Sequence, residues 1–100
     1  VQYSLSRERF FIIGSTWVCL MEGESFGERS YSHIAFKVSE TELDKYITRV
    51  KEYGLEIRTS RPRIEGEGQS VYFWDYDNNL FELHTGTLKE RLQAYSAITI

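Results

Sequence analysis

The stretch YSHIAFKVSETELDKYITRVKEYGLEIR, residues 31–58, decides the fold. Its first eight residues alternate. Ser32, Ile34, Phe36 and Val38 fall on one face of a strand, and Tyr31, His33, Ala35 and Lys37 on the other. Ser39, with Glu42 three residues on, then reads as a capping box opening a helix. Leu43, Tyr46, Ile47, Val50 and Tyr53 follow at helical spacing, so a single apolar stripe can turn toward a sheet. Gly54 ends the helix, because only a residue without a Cβ adopts the left-handed cap at no cost. Leu55 to Arg58 reads as a short second strand.

Outward from this core the pattern continues. Thr59 to Gln69 is polar and holds Arg61, Pro62, Arg63, Gly66 and Gly68, a long loop for so small a chain. SVYFWD (70–75) and LFELHT (80–85) read as strands joined by the turn DYDNN, whose Asp and Asn residues tolerate left-handed geometry. Thr87 with Glu90 is a second capping box, opening a helix from Leu88 to Tyr95. Upstream, ERFFII (8–13) and TWVCLM (16–21) are β-type runs separated by Gly14-Ser15, and Val1 to Leu5 reads as a third. Glu22 to Ser30 is a polar, glycine-containing loop. The order from residue 31 is strand, helix, strand, strand, strand, tail helix. The expected fold is therefore α+β: residues 1–100 as one domain, with 31–95 a complete βαβββ unit plus tail helix. Residues 1–21 read as the remaining strands of a preceding unit.

Composition narrows the function. One hundred residues with 41% hydrophobic and 27% charged side chains suit one globular domain. The single cysteine, Cys19, excludes an intrachain disulfide and a four-cysteine zinc site, and it suits a reducing compartment such as the cytoplasm. A net charge of −3 argues against a nucleic-acid partner, which demands a basic face. No apolar run reaches the roughly 18 residues of a membrane span.

Several side chains could carry chemistry. His33 is either a half-buried histidine bonded to a neighbour or a metal ligand. Glu82, between Phe81 and Leu83, points either to a wet face or to a polar cavity or metal. A histidine and a carboxylate on neighbouring strands suit a divalent metal with open positions, and His84 is a third candidate on the face of Glu82. Glu8, at the head of an apolar strand, is otherwise an exposed strand-end charge. Arg61, Arg63 and Arg91 match the two-pronged geometry of phosphate or phosphonate oxygens, unless they only solvate the surface. Trp17, Tyr31, Tyr72 and Trp74 either line a pocket or fill core. The Gly66–Gly68 loop is no nucleotide-binding loop, since neither Lys-Ser/Thr nor a helix follows it.

LSRERFF, YSHIAFKV and RPRIEGEGQSVYFWDYDNNLFELHTGTLKERL together resemble the fosfomycin-resistance proteins of the vicinal oxygen chelate (glyoxalase/bleomycin-resistance) superfamily. The likeness runs from about Leu5 to Tyr95. It implies paired βαβββ units cupped around a divalent metal, usually manganese, with His33 and Glu82 as two of its three protein ligands. It implies that Trp17, Tyr31, Ser70, Tyr72 and Arg91 line the pocket for fosfomycin, with Arg91 and Arg63 near the phosphonate. Glu8 matches the glutamate that activates water in the epoxide-hydrolysing branch, whereas the thiol-transferring branches lack that base. The resemblance also implies a homodimer, domain-swapped, in which the third ligand is a histidine of the partner subunit. That histidine sits on a strand followed by a helix, an element of about 25–35 residues that this sequence does not contain. A non-catalytic binding or dimerisation module, and a thiol transferase, stand as the alternative readings.

Overall fold

The computed structural model describes residues 3–5, 7–58, 65–66 and 68–98. The chain forms two sheets. The first is an antiparallel meander of β1 (Tyr3–Leu5), β2 (Glu8–Ile13) and β3 (Thr16–Met21), in the order β1-β2-β3. Gly14 turns the β2–β3 hairpin with φ +64°, the left-handed conformation expected of its turn. The register pairs Glu8 with Met21, Phe10 with Cys19 and Ile12 with Trp17. Because side chains alternate, these six residues share one face of the meander.

The second sheet holds β4 (His33–Lys37), β5 (Ile57–Arg58), β6 (Ser70–Trp74) and β7 (Leu80–His84) in the order β4-β7-β6-β5. Strands β4 and β7 run parallel, and the other neighbours run antiparallel. With α1 (Glu40–Glu52) between β4 and β5, this is the βαβββ order expected from the sequence. Helix α2 (Leu88–Ile98) follows and runs three residues past its expected end.

The two capping boxes have different fates. At Thr87 the box forms: its Oγ1 accepts from the Glu90 N–H at 3.1 Å, and the Glu90 carboxylate accepts from the Thr87 N–H at 3.2 Å. At Ser39 it does not. The Ser39 side chain makes no cap bond and instead lies 3.2 Å from the Thr41 hydroxyl, and the Ser39 carbonyl accepts from Glu42 and Leu43. Two acidic residues in the first turn, Glu40 and Glu42, still complement the helix dipole.

Register sorts the second sheet into two faces. Phe36, Phe81 and Phe73 stack along one, with ring centres 6.4 and 5.6 Å apart. Tyr72, Trp74 and Leu80 form a buried cluster on the other, where Glu82 also lies. From α1, Leu43 and Val50 are buried, while Tyr53 is exposed, so the expected apolar stripe is narrower than its spacing suggests. The 75–79 turn is built by Asp75, whose carboxylate accepts from the N–H groups of Asp77 and Asn79, both at 2.8 Å. Asn78 takes φ +64° there. The loop before β4 is anchored on this turn through Ser25 with Asp77 and through Arg29 with Asn78, and Arg29 also pairs with Glu56 at 2.6 Å. Among the described residues, no helix is long and apolar enough to cross a membrane.

Candidate metal and anion site

The register that pairs Ala35 with Glu82, Tyr72 with Glu82 and Arg58 with Tyr72 sets these side chains in one row across the sheet. His33 lies on the same face two residues before Ala35. Adjacent parallel and antiparallel strands thus bring together residues far apart in sequence.

Glu82 is only 4% exposed and is held by three donors. Ser70 Oγ donates to its Oε2 at 2.7 Å, His33 Nε2 lies 3.0 Å from its Oε1, and the Tyr72 hydroxyl donates to it as well. Burial pushes the carboxyl pKa up, but the bonds from Ser70, His33 and Tyr72, with the charge of His33, outweigh it and hold the group below its ordinary value. Tyr72, 2% exposed, has its phenol driven strongly upward by burial, by the hydrogen bond with Tyr31 and by the nearby Glu82 charge. It therefore stays protonated and serves as a donor. Tyr31 Oη donates to Tyr72 Oη at 3.0 Å.

His33 is oriented from behind. Its Nδ1 donates to the Tyr31 carbonyl at 2.7 Å, since a carbonyl can only accept. With Nδ1 so engaged, Nε2 reaches the Glu82 oxygen 3.0 Å away through a single proton, and a cation in that proton's place would meet a lone pair on each atom. Two acceptors meet in this way around a proton or a cation. Ligand atoms about 2.1 Å from a metal and at right angles to each other lie about 3 Å apart. The pair therefore fits a divalent ion, with the carbonyl behind His33 fixing the tautomer that such ligands use. Among the described residues, no cluster of three histidine, cysteine or acidic side chains forms. His84 does not make a third member, and lies instead with Glu82, Ala35, Thr87 and Arg91 around a cleft of about 200 Å³. That cleft places an arginine beside the buried carboxylate at the start of α2.

The other candidates divide. Ser70, Tyr31, Tyr72 and Arg91 gather with His33 and Glu82. Glu8 and Trp17 lie on the first sheet, sharing its Glu8 face, and no strand of that sheet pairs with the second. Trp17 is 69% exposed and meets Phe10 edge-on at 5.4 Å. Arg61 and Arg63 lie outside the described residues. Arg58, which the sequence reading did not single out, stacks on this site with its guanidinium carbon 4.8 Å from the Tyr31 ring centre. Only the β5–β6 register reveals it, since a two-residue strand carries no usable periodicity.

No protein-family model matches the chain. It is 57% identical over 93 residues to the fosfomycin resistance protein FosX of Listeria monocytogenes, spanning 93% of this chain and 70% of that protein. It is 45% identical over 91 residues to the metallothiol transferase FosB of Shouchella clausii, covering 86% of this chain and 62% of that one. A crystal structure of a glutamate-to-glutamine mutant of the Listeria FosX, complexed with Mn(II) and 1S,2S-dihydroxypropylphosphonic acid, superposes with a TM-score of 0.83. The match has 53% identity and covers 90% of this chain and 71% of the other. High identity across most of a FosX protein, on the same βαβββ sheet, shows that the chain belongs to the FosX family of fosfomycin resistance proteins.

Proposed function

We propose that the chain acts in metal-dependent inactivation of fosfomycin by adding water across its epoxide, in the cytoplasm. The observation that carries this is the His33 Nε2–Glu82 Oε1 pair, 3.0 Å apart, with Glu82 buried and lining the Arg91 cleft. His33 and Glu82 hold the divalent ion, and Mn(II) is the choice, because a FosX relative is complexed with it. When bound, the ion supplies Lewis-acid pull on the epoxide oxygen. Arg91 in the cleft, together with Arg63, binds the phosphonate and orients it by two-pronged bonding. Ser70 and Tyr72 keep Glu82 charged and fixed, Tyr31 walls the pocket, and Trp17, on the face that carries Glu8, walls that of a second copy.

Glu8 is the base. Its carboxylate takes a proton from water as the water oxygen bonds to a ring carbon. The ring C–O bond breaks with its electron pair on oxygen, and protonation of that oxygen yields a vicinal diol. The dihydroxypropylphosphonate in the FosX crystal is a diol of this kind. Identity supports the hydrolytic branch over transfer to a thiol, at 57% to FosX against 45% to FosB.

Glu8 lies on a different sheet from His33 and Glu82, so we assign it to the site of a second copy in a homodimer, domain-swapped as the resemblance implies. The face that carries Glu8 also exposes Ile12, Trp17 and Met21, the last 73% exposed. Apolar surface of this kind favours a partner.

The test is Glu8→Gln, assayed with Mn(II), without thiol, by phosphorus NMR. General-base help is worth about 10²–10⁴-fold, so turnover falls by that factor while fosfomycin binding holds. Product that forms only with added glutathione or another thiol would establish transfer instead. Tight binding without product under either condition would establish a binding module.

A further inference from the structure

Arg58 takes no part in the chemistry above, yet it sits where the site's two ligand side chains are jointly held. Strand β5 pairs Arg58 with Tyr72, so Arg58 projects on the face of Tyr72 and Glu82. Its guanidinium carbon lies 4.8 Å from the Tyr31 ring centre and 5.9 Å from that of Tyr72. The two tyrosine rings are 5.8 Å apart and inclined by 35°. Cation and rings are within the distance at which a guanidinium is held by the ring quadrupole.

Tyr31 is the hinge of this arrangement. It precedes β4, so no sheet ladder fixes its backbone, and its side chain is exposed. Even so, it orients both ligand residues. Its carbonyl accepts from His33 Nδ1 at 2.7 Å, and its hydroxyl donates at 3.0 Å to Tyr72, which donates to Glu82. If the Tyr31 ring swings, Tyr72 loses the donor that orients its hydroxyl, and Glu82 loses that support, while the bond of His33 to the Tyr31 carbonyl is a backbone contact. The Arg58 guanidinium over its face is the contact that opposes such a swing from the sheet edge.

We propose that Arg58 is a positioning residue for the metal pair. By stacking on Tyr31 and Tyr72 it fixes the tyrosine pair whose hydroxyls orient Glu82. The inference rests on the metal reading of those two residues. Groups behind metal ligands commonly contribute 10–100-fold to affinity. Arg58 acts one contact further out, so Arg58→Leu is expected to weaken Mn(II) binding by about 3–10-fold, below that range. Arg58→Lys, which keeps a cation over the rings, is expected to stay closer to the parent than Arg58→Gln, which keeps length but loses charge.

The experiment is Mn(II) titration followed by electron paramagnetic resonance of the free ion, with no substrate present. It compares the parent with Arg58→Leu, Arg58→Lys, Arg58→Gln, Tyr31→Leu and the Arg58→Leu/Tyr31→Leu double variant. The expected result is the order parent, Lys, Gln, Leu, with no added loss from Arg58→Leu once Tyr31 is gone. Additive losses, or Arg58→Leu with unchanged affinity, would overturn the proposal. Should Arg58→Leu fail to fold, the Lys and Gln variants decide, and equal affinities overturn it. Glu82→Ala in the same titration separates the two levels. If it loses 10-fold or more while the Arg58 variants lose nothing, only the role of Arg58 fails. If it too is unchanged, the metal reading fails and this inference with it.

Discussion

Replacing Glu82 by Gln changes one oxygen to nitrogen at nearly constant shape, so it isolates the charge of the buried carboxylate. Glu82 is 4% exposed and receives bonds from Ser70 Oγ at 2.7 Å, from His33 Nε2 at 3.0 Å and from the Tyr72 hydroxyl. Hydrogen bonds to a charged group contribute about 1.5–3 kcal/mol against about 0.5–1.5 for neutral ones, so neutralising the acceptor costs about 1 kcal/mol for each of three donors. The new amide also turns an NH2 toward one of them. Burial works the other way, because a neutral amide is easier to bury than a carboxylate. The carboxyl sits below its ordinary pKa despite that burial, so the donors prevail and the net effect is destabilising. The expected loss is about 1–3 kcal/mol. At roughly 4–8 °C per kcal/mol for a domain of this size, the melting temperature in EDTA falls by roughly 4–24 °C. Mn(II) then widens the gap. A tenfold weaker ion stabilises the folded state by about 1.4 kcal/mol less at saturating metal. Calorimetric melts with EDTA and with Mn(II) test both statements. A variant melting within about 2 °C of the parent in EDTA would refute the convergence of three donors on a charged Glu82. A gap that Mn(II) leaves unchanged would remove Glu82 from the metal site.

Two further outcomes follow from the structure. Gly68 has φ +92°, and a Cβ there would lie 2.9 Å from the Gly86 N and 3.0 Å from its Cα, so Gly68→Ala should cost about 2–5 kcal/mol from backbone strain and overpacking together, read as a lower urea midpoint. Trp17→Asp puts a charge on the exposed Glu8 face, which the dimer proposal covers. Sedimentation at micromolar concentration should show dimer for the parent and monomer for the variant, and equal masses would contradict that use of the face.

Much of this protein is legible along the chain. The alternation of YSHIAFKV, the helical stripe ending at Gly54, the DYDNN turn and the Thr87–Glu90 box are short-range signals, and each recurs in the structure within a few residues. Their order is enough for the βαβββ unit, because hydrophobic period and turn chemistry act locally. The family, too, is carried by contiguous motifs. Ser39 is the exception. Its side chain has a nearby hydroxyl, Thr41, as an alternative partner, and spacing alone cannot rank two local bonds.

The site was only half legible. His33, Ser70, Tyr72 and Glu82 could be named as candidates, but whether Glu82 faced water or a cavity was undecidable from a strand that is amphipathic either way. Tertiary structure settles its burial, because parallel pairing of β4 with β7 brings His33 to its oxygen and antiparallel pairing of β6 brings Ser70 and Tyr72. The same holds for Arg58, whose place over Tyr31 follows from a two-residue strand, and for Glu8, whose strand pairs only within its own meander. Local patterns determine which elements form. Which side chains meet depends on strand register between segments up to about fifty residues apart, as His33 and Glu82 are, and no period along the sequence encodes it.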